Sequence, residues 1–541
     1  MTCLLRPPLL FFLPLNSIIT TTSLRLSSTM ARTYESALAH LDSIQSNRAV
    51  TSLFSPPVSA SSPAPSAADL NALAIPEMLS WLGRAGLTQN DLARLRCIHV
   101  AGTKGKGSVC AYLTSILTRV PAAGRVGTYT SPHLVSVRER IQLDGRPISR
   151  ELFARYFFEV WDALTNAARD EAARSGKNIP AAELEGPASK PFYFRFLTIL
   201  AFHAFLREGV KSAVVECGIG GEYDSTNVLP AEAVTASVIS QLGIDHVGML
   251  GSTLPEIAWN KAGVMKSGRK CFTRKLQAGD GEETMRVLRE RAAEKKATLK
   301  EVEDEEVEQW GGVQGTEVGS LEGEFQKYNQ ALALQAAAEH LRVLDGSQNI
   351  PAEEKLPVLA ERFSDGLRQA RLQGRSETRE YGDFTWLIDG AHTAESLEEV
   401  AKWFAGKCKA STENAKVVLL FNQQERDVAK LLNSLHRGIE KELTTIPEGG
   451  LFDYAIFTRN DLQSRTDDEP ERDLTVQQAA ADAMSKLFPR TETAVVESVD
   501  EAVEEIKDRQ RRDGTKVVVL ATGSFHLVGA LLRKLEPDSE L

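Results

Sequence analysis

Residues 99–113 read HVAGTKGKGSVCAYL: a short apolar run of strand character, a glycine-rich turn, and then residues of helical pattern. Strand, turn and helix in that order bring backbone N–H groups and a helix N-terminus to one point, where they can hold phosphate. Gly102, Gly105 and Gly107 permit backbone conformations and close approaches that a side chain forbids. Lys106 is placed to reach terminal phosphates, Thr103 and Lys104 complete the loop, and Ser108 can cap the helix or meet a metal. The match to GxxxxGK[ST] is imperfect, since Val100 stands at the first glycine position and Gly107 follows the lysine. An ordinary glycine turn with solvated lysines is the competing reading, so residues elsewhere must decide the chemistry.

Working outward, RCIHVAG, SAVVECGIGG, TASVISQLGIDH and KCFTR read as strands that end at glycines or polar residues, with helical stretches between them. That alternation predicts an α/β fold with a parallel sheet. After the helical YNQALALQAAAEHLRVL and the string RLQGRSE comes a fresh set of strands in FTWLIDGAH, KVVLLFN, YAIFTR and KVVVLATGS. The expected organisation is a P-loop-type nucleotide-binding domain over 30–372 and a smaller Rossmann-like α/β domain over 376–541. Residues 51–68, rich in Ser, Pro and Ala, read as a surface loop. The stretch 275–324, strongly acidic and Gly-punctuated from Glu301 to Glu324, reads as a solvated insertion.

The chain has 541 residues, 42% of them apolar and 25% charged, with a net charge of −10. That length exceeds one ordinary core. The negative charge argues against a general nucleic-acid binder, because such binding rests on neutralising phosphates with Lys and Arg. No apolar run reaches the roughly 20 residues of a membrane-spanning helix, so the expectation is a soluble body without a transmembrane segment. Six scattered cysteines without a CxxC pair fit a reduced compartment and no thiolate zinc site. Residues 1–29 hold Arg6 and Arg25, no acid, and Ser/Thr-rich tracts, the composition of a mitochondrial transit peptide. A secretory signal is the rival, weakened by Pro14 within the apolar stretch. Met30 precedes a plausible helix start, so initiation there would yield a cytosolic form.

Glu216 closes the strand SAVVE and His246 follows the strand-like SVISQLGID, which puts both at the C-terminal edge of a parallel sheet, where such folds bind ligands. A carboxylate and an imidazole there can meet a cation; a helix-cap role for Glu216 and a hydrogen-bonded histidine remain open for each residue taken alone. A hard Mg²⁺ keeps waters and phosphate oxygens in its shell, so a sparse protein set suffices. Arg375 stands at the inferred domain junction, and Asp389 and His392 follow an apolar strand in LIDGAHT. Junction clefts are common ligand sites, although a surface ion pair and a turn-forming aspartate are the plainer readings.

The strings GTKGKGS, TYTSPHLVSVRERI, KPFYFRFLTILAFHAFL, VVECGIGGEYDSTN, LGIDHVGMLG, AWNKAGVMK, LIDGAHT and ATGSFHLVG occur in an order that resembles the folylpolyglutamate synthases, relatives of the Mur ligases. The resemblance runs from Tyr34 to the last strand-turn, outside insertions at 51–68, 165–190 and 275–324. It implies that Gly102–Ser108, Arg375 and Asp389 bind ATP, that Ser131, Glu216 and His246 hold Mg²⁺, and that His392 lines the glutamate or phosphate region. It also implies a K⁺ requirement and a carbamylated Lys261 holding a second Mg²⁺; an unmodified Lys261 on phosphate is the alternative. Lys106, Lys261 and His392 are the expected catalytic residues. The chain departs from many bacterial relatives at Lys104, Asn260 and Thr393.

The implied activity is an ATP-dependent ligase adding L-glutamate to the γ-carboxylate of a reduced folate through an acyl phosphate. The expected partners are small molecules only, and the expected state is a monomer, in the mitochondrion (matrix, or associated with its inner membrane) and cytoplasm. Dihydrofolate synthase is the rival within the class. A P-loop regulatory NTPase and a folate binder without catalysis are the rivals outside it.

Overall fold

The computed structural model describes residues 32–44, 67–277, 279–315, 321–346, 355–411, 415–424, 427–443, 451–466 and 468–537. Residues 1–29, read above as a transit peptide, and nearly all of the 51–68 stretch lie outside them.

Eight strands form the first sheet: β1 (Cys97–Ala101), β2 (Val126–Tyr129), β3 (Ile141–Leu143), β4 (Arg146–Pro147), β5 (Ser212–Glu216), β6 (Val234–Ile239), β7 (Lys270–Arg274) and β8 (Thr298–Val302). Their order is β4-β3-β2-β5-β1-β6-β7-β8. All neighbours from β2 to β8 run parallel, and the β2-β3-β4 end is antiparallel. Every residue of β1, β2 and β5 is buried, as expected of central strands covered on both faces. Successive residues still face opposite layers. Cys97, Ala213 and Val215 join the core under the helices Arg150–Arg174 and Tyr193–Arg207, whereas Ile98, Val100 and Val214 join the core under Lys106–Leu117 and Gln326–Asp345. The first layer is aromatic: Phe157 lies 5.5 Å from Trp161 and 4.9 Å from Phe196 by ring centroids. Each fully buried Phe there contributes about 1.5–3 kcal/mol.

Six strands form the second sheet: β9 (Glu377–Tyr381), β10 (Phe384–Ile388), β11 (Ala415–Phe421), β12 (Tyr454–Phe457), β13 (Glu492–Val495) and β14 (Lys516–Thr522). The order is β13-β12-β11-β14-β10-β9, parallel except for the β9–β10 edge pair. Helices Ala394–Ser411 and Val428–Glu442 cover one face, and Val499–Asp513 and Phe525–Leu535 the other. The molecule is thus an α/β protein of two sheets, the larger spanning 97–302 and the smaller 377–522. Among the described residues no helix is long and apolar enough to cross a membrane.

Two expectations change. Part of 275–324 is framework: the helix Gly281–Glu294 leads into β8, which pairs with β7 from Lys270↔Thr298 to Arg274↔Val302. TLKEV escaped notice because it is an edge strand whose Lys300 and Glu301 blunt the open edge, at the expense of an apolar run. His246 is not at a strand end. β6 stops at Ile239, and His246 sits in a left-handed conformation (φ 50°, ψ 43°) ahead of the short helix Val247–Leu250.

Candidate active site

Leaving β1, the chain turns through Gly102 (φ 149°) and Gly105 (φ 82°) and enters the helix at Lys106. A Cβ on Gly102 would lie 1.9 Å from Ser240 Oγ, and one on Gly105 2.4 Å from Asn329 Oδ1, so both positions need glycine for space as well as for conformation. Gly105 is the N-cap and no side chain caps the helix, which leaves first-turn N–H groups to a ligand. Ser108, read as a potential cap, is instead buried within the first turn. Thr103 Oγ1 donates to Gly243 O at 3.0 Å, and Ser240 Oγ donates to Lys104 O at 2.7 Å, bracing the loop against the segment after β6. Lys106 Nζ folds back on Gly102 O (3.0 Å) and Thr103 O (3.4 Å).

Lys261, the last residue of the helix Leu254–Lys261, is 3% exposed and donates from Nζ to the same Gly102 carbonyl at 2.8 Å. Burial, with the nearby Lys106 charge, lowers its pKa to about 7. The side chain therefore lies behind the loop and carries a largely neutral amine above pH 7, the form that reacts with carbon dioxide.

Beside the loop, Glu216 ends β5 fully buried, and the Ser131 N–H donates to its Oε2 at 3.0 Å. Burial pushes the Glu216 carboxyl up, against the pull of Lys106, the Ser131 N–H, Arg375 and Arg140. Glu139 pins the segment after Ser131 by accepting from Leu134 N (2.9 Å) and Val135 N (2.8 Å). His246 is 45% exposed at its side chain; its N–H donates to Asp245 Oδ1 at 2.9 Å, and its Nε2 lies 3.6 Å from Asp245 Oδ2. Asp224 holds the neighbouring loop, accepting from Ile219 N (3.0 Å) and Thr226 N (2.9 Å). Among the described residues no three His, Cys, Asp or Glu side chains form a ready metal cage. A hydroxyl, a buried carboxylate and an imidazole along one wall nonetheless fit a Mg²⁺ that keeps most of its water shell.

The second domain supplies the opposite wall. Arg375 stacks its guanidinium 4.0 Å from the Phe525 ring centre. Asp389 follows β10, is 6% exposed, and accepts from Ser376 N (2.7 Å) and Ala391 N (2.8 Å). Burial raises its carboxyl, opposed by Arg375. His392 Nδ1 lies 3.0 Å from Gly390 O, with its ring 5.8 Å from that of Phe525.

One cleft of about 1860 Å³ is lined by Thr103–Ser108, Ser131, Glu216, His246, Arg375, Asp389 and His392 together. Gly102 and Lys261 stand behind it. The cleft also exposes residues that sequence reasoning did not single out: Arg140, Phe192, Phe194, Arg195, Tyr223 and, from the second domain, Gln423, Asn460 and Ser524. The aromatic pair lies in the quoted string KPFYFRF, but nothing in its spacing separates a cleft-lining Phe194 from the core-facing Phe196.

A glycine-loop domain and a second α/β domain that line one shared cleft define a two-domain α/β protein of nucleotide-binding type. A family model described as dihydrofolate synthetase, C-terminal domain, matches residues 372–446. Folylpolyglutamate synthase of Saccharomyces cerevisiae (strain FostersO) is 39% identical over 521 residues, covering 93% of this chain and 87% of the relative. Among solved structures, Mycobacterium tuberculosis folylpolyglutamate synthase complexed with ADP aligns with TM-score 0.60 at 24% identity, covering 92% of this chain and 98% of that one. The apo form of L. casei FPGS aligns with TM-score 0.60 at 20% identity, covering 93% of this chain and 99% of that one. These two likenesses bear on the fold; the sequence relationship carries the family. The chain belongs to the folylpolyglutamate synthase family.

Proposed function

We propose that this chain is an ATP-dependent ligase that joins L-glutamate to the γ-carboxylate of tetrahydrofolate or of a tetrahydrofolyl-polyglutamate, releasing ADP and phosphate. The observation that carries the reading is the meeting of Lys106 and Glu216 with Arg375 and Asp389 across one cleft. A regulatory NTPase accounts for the loop but gives no reason for the buried Asp389 and stacked Arg375 of the second domain.

In this mechanism the loop N–H groups and Lys106 hold the ATP phosphates, and the γ-phosphoryl group passes to the folate carboxylate. The resulting acyl phosphate is attacked by the glutamate amine, with phosphate as the leaving group. The protein's part is positioning and charge stabilisation. Ser131, Glu216 and His246 would hold Mg²⁺, which supplies further positive charge to the transferring phosphoryl oxygens. Arg375 and Asp389 bind ATP from the second domain, and closure excludes water from the acyl phosphate. His392 lines the region where phosphate and glutamate meet. Two states of Lys261 are supported by its surroundings: the neutral amine favours a carbamate holding a second cation, and the bond to Gly102 O favours the free amine. Intact-mass measurement with and without bicarbonate separates them.

Dihydrofolate synthase is retained as the second reading because the family model over residues 372–446 bears that description. The test incubates the protein with ATP, Mg²⁺, glutamate and either tetrahydrofolate or dihydropteroate, and reads product mass and ADP. Successive glutamate additions to tetrahydrofolate, lost in Lys106→Ala, support the proposal. Product from dihydropteroate alone moves the assignment to dihydrofolate synthase, and no glutamate-dependent ADP from either refutes a ligase. The proposal extends to a K⁺ requirement, tested by replacing K⁺ with Na⁺, and to a monomer, tested by sedimentation. It extends also to mitochondrial and cytoplasmic forms, tested by tagging chains begun at Met1 and Met30.

A further inference from the structure

The acidic stretch ahead of the helix Gln326–Asp345 has no part in the reaction just described, yet one of its carboxylates reaches across the domain boundary. Leu321 is 5% exposed and belongs to the first-domain core, which anchors the segment there. The next residue, Glu322, turns outward. Its Oε2 accepts from Trp403 Nε1 at 2.8 Å and from Lys407 Nζ at 2.6 Å, and its Oε1 lies 3.5 Å from Thr378 Oγ1. All three partners belong to the second domain, Thr378 on β9 and the other two on the helix Ala394–Ser411. Trp403 and Lys407 are one turn apart and share a face, so a single carboxylate engages both. Trp403 is 8% exposed with its ring in the second-domain core, which makes it a rigid post.

The same helix is held a second time near its start, where Glu395 Oε2 lies 3.6 Å from Lys104 Nζ of the phosphate loop. The two ties are separated by about 12–18 Å of helix at 1.5 Å per residue, so together they set the helix's angle as well as its distance. Asp389 and His392 stand immediately ahead of that helix. On the first-domain side, the helix that follows Glu322 presents Asn329 against Gly105 of the loop. The segment 321–329 therefore touches the nucleotide loop at one end and the second domain at the other.

We propose that Glu322 is a positioning residue: by clasping Trp403 and Lys407 it sets the closed position of the second domain, and so places Asp389 over the phosphate loop for tight ATP binding. The inference rests on the nucleotide site proposed above and is independent of the folate and glutamate chemistry.

The test measures equilibrium binding of the non-hydrolysable analogue AMPPCP and the radius of gyration of the nucleotide-free protein in solution. The variants are Glu322→Lys, Lys407→Glu, their double swap, and the near-isosteric Glu322→Gln. Each single charge reversal should weaken AMPPCP binding by about fivefold, the scale of one partly exposed ion pair lost from a closed state, and should enlarge the radius. The double swap restores the ion pair but not the acceptor of the Trp403 N–H, so it should recover part of the lost binding and compaction, a rescue that a purely structural defect would not show. Glu322→Gln keeps the indole acceptor and loses the charge, so it should weaken binding by about twofold while folding normally. Parent-like binding in the single variants, or a swap no better than either single, overturns the clasp. If the parent binds AMPPCP but releases no glutamate-dependent ADP, the ligase proposal fails while the clasp test stands.

Discussion

Replacing Lys261 with Met keeps its length and removes its amine, and the stability difference between the two proteins should depend on pH. The amine is buried at 3% exposure against the Gly102 carbonyl, and burial with the Lys106 charge lowers its pKa from 10.5 to about 7. Between those values the unfolded chain holds a proton that the folded chain has released. Unfolding therefore takes up a proton, and stability rises with pH across the window at about 1.4 kcal/mol per pH unit, about 5 kcal/mol in all. Below pH 7 both states are protonated and the slope vanishes. Lys261→Met lacks this group, so the parent should gain on it steadily from pH 7 to pH 9. The assay is urea unfolding in carbon-dioxide-free buffer without nucleotide, reading the first-domain transition. A difference that stays flat from pH 7 to pH 9 would show that folding does not depress this amine, and the neutral-amine argument for a carbamate would go with it.

Gly102→Ala places a methyl 1.9 Å from Ser240 Oγ at a φ of 149°; it should cost about 2–4 kcal/mol by steric overlap and backbone strain, with ATP binding lost by calorimetry and partly recovered on adding Ser240→Ala. Glu216→Gln should leave the nucleotide-free protein as stable or up to about 2 kcal/mol more stable in thermal melts, because a buried charge is removed, while ADP release falls to background. Gly529→Ala puts a Cβ 2.1 Å from Leu134 O, in the strand-turn segment that carries Ser131. It should lower the melting temperature and raise KM for ATP together, and an unchanged KM would separate that contact from the site.

Much of the site was legible because its residues sit where strands end. β1, β5, β10 and β14 are apolar runs closed by Gly102, Glu216, Asp389 and Gly523, and a run followed by a polar or glycine residue marks the sheet edge whatever the strand order. β8 and β13 were missed for the converse reason: an edge strand needs few apolar residues, so TLKEV and ETAV leave little pattern to read. Lys261 was legible as a residue but not as a location, since nothing in AWNKAGVMK says that its amine reaches beneath the phosphate loop to Gly102.

The sequence alone determined the two α/β domains and the glycine-rich loop, because local periodicity, glycine geometry and strand ends act within a few neighbouring residues; the family and the expected site residues came from the resemblance of its motif strings in order. The tertiary structure decided what depends on distant segments meeting. It brought Arg375, Asp389 and His392 opposite Lys106 and Glu216, put His246 on a turn well past β6, and made Ser108 a buried helix residue in place of a cap. It also joined Glu322 to Trp403 and Lys407, 81 and 85 positions away. A carboxylate in an acidic run looks solvated until the fold sets an indole N–H and an ammonium beside it, and no local rule encodes that approach.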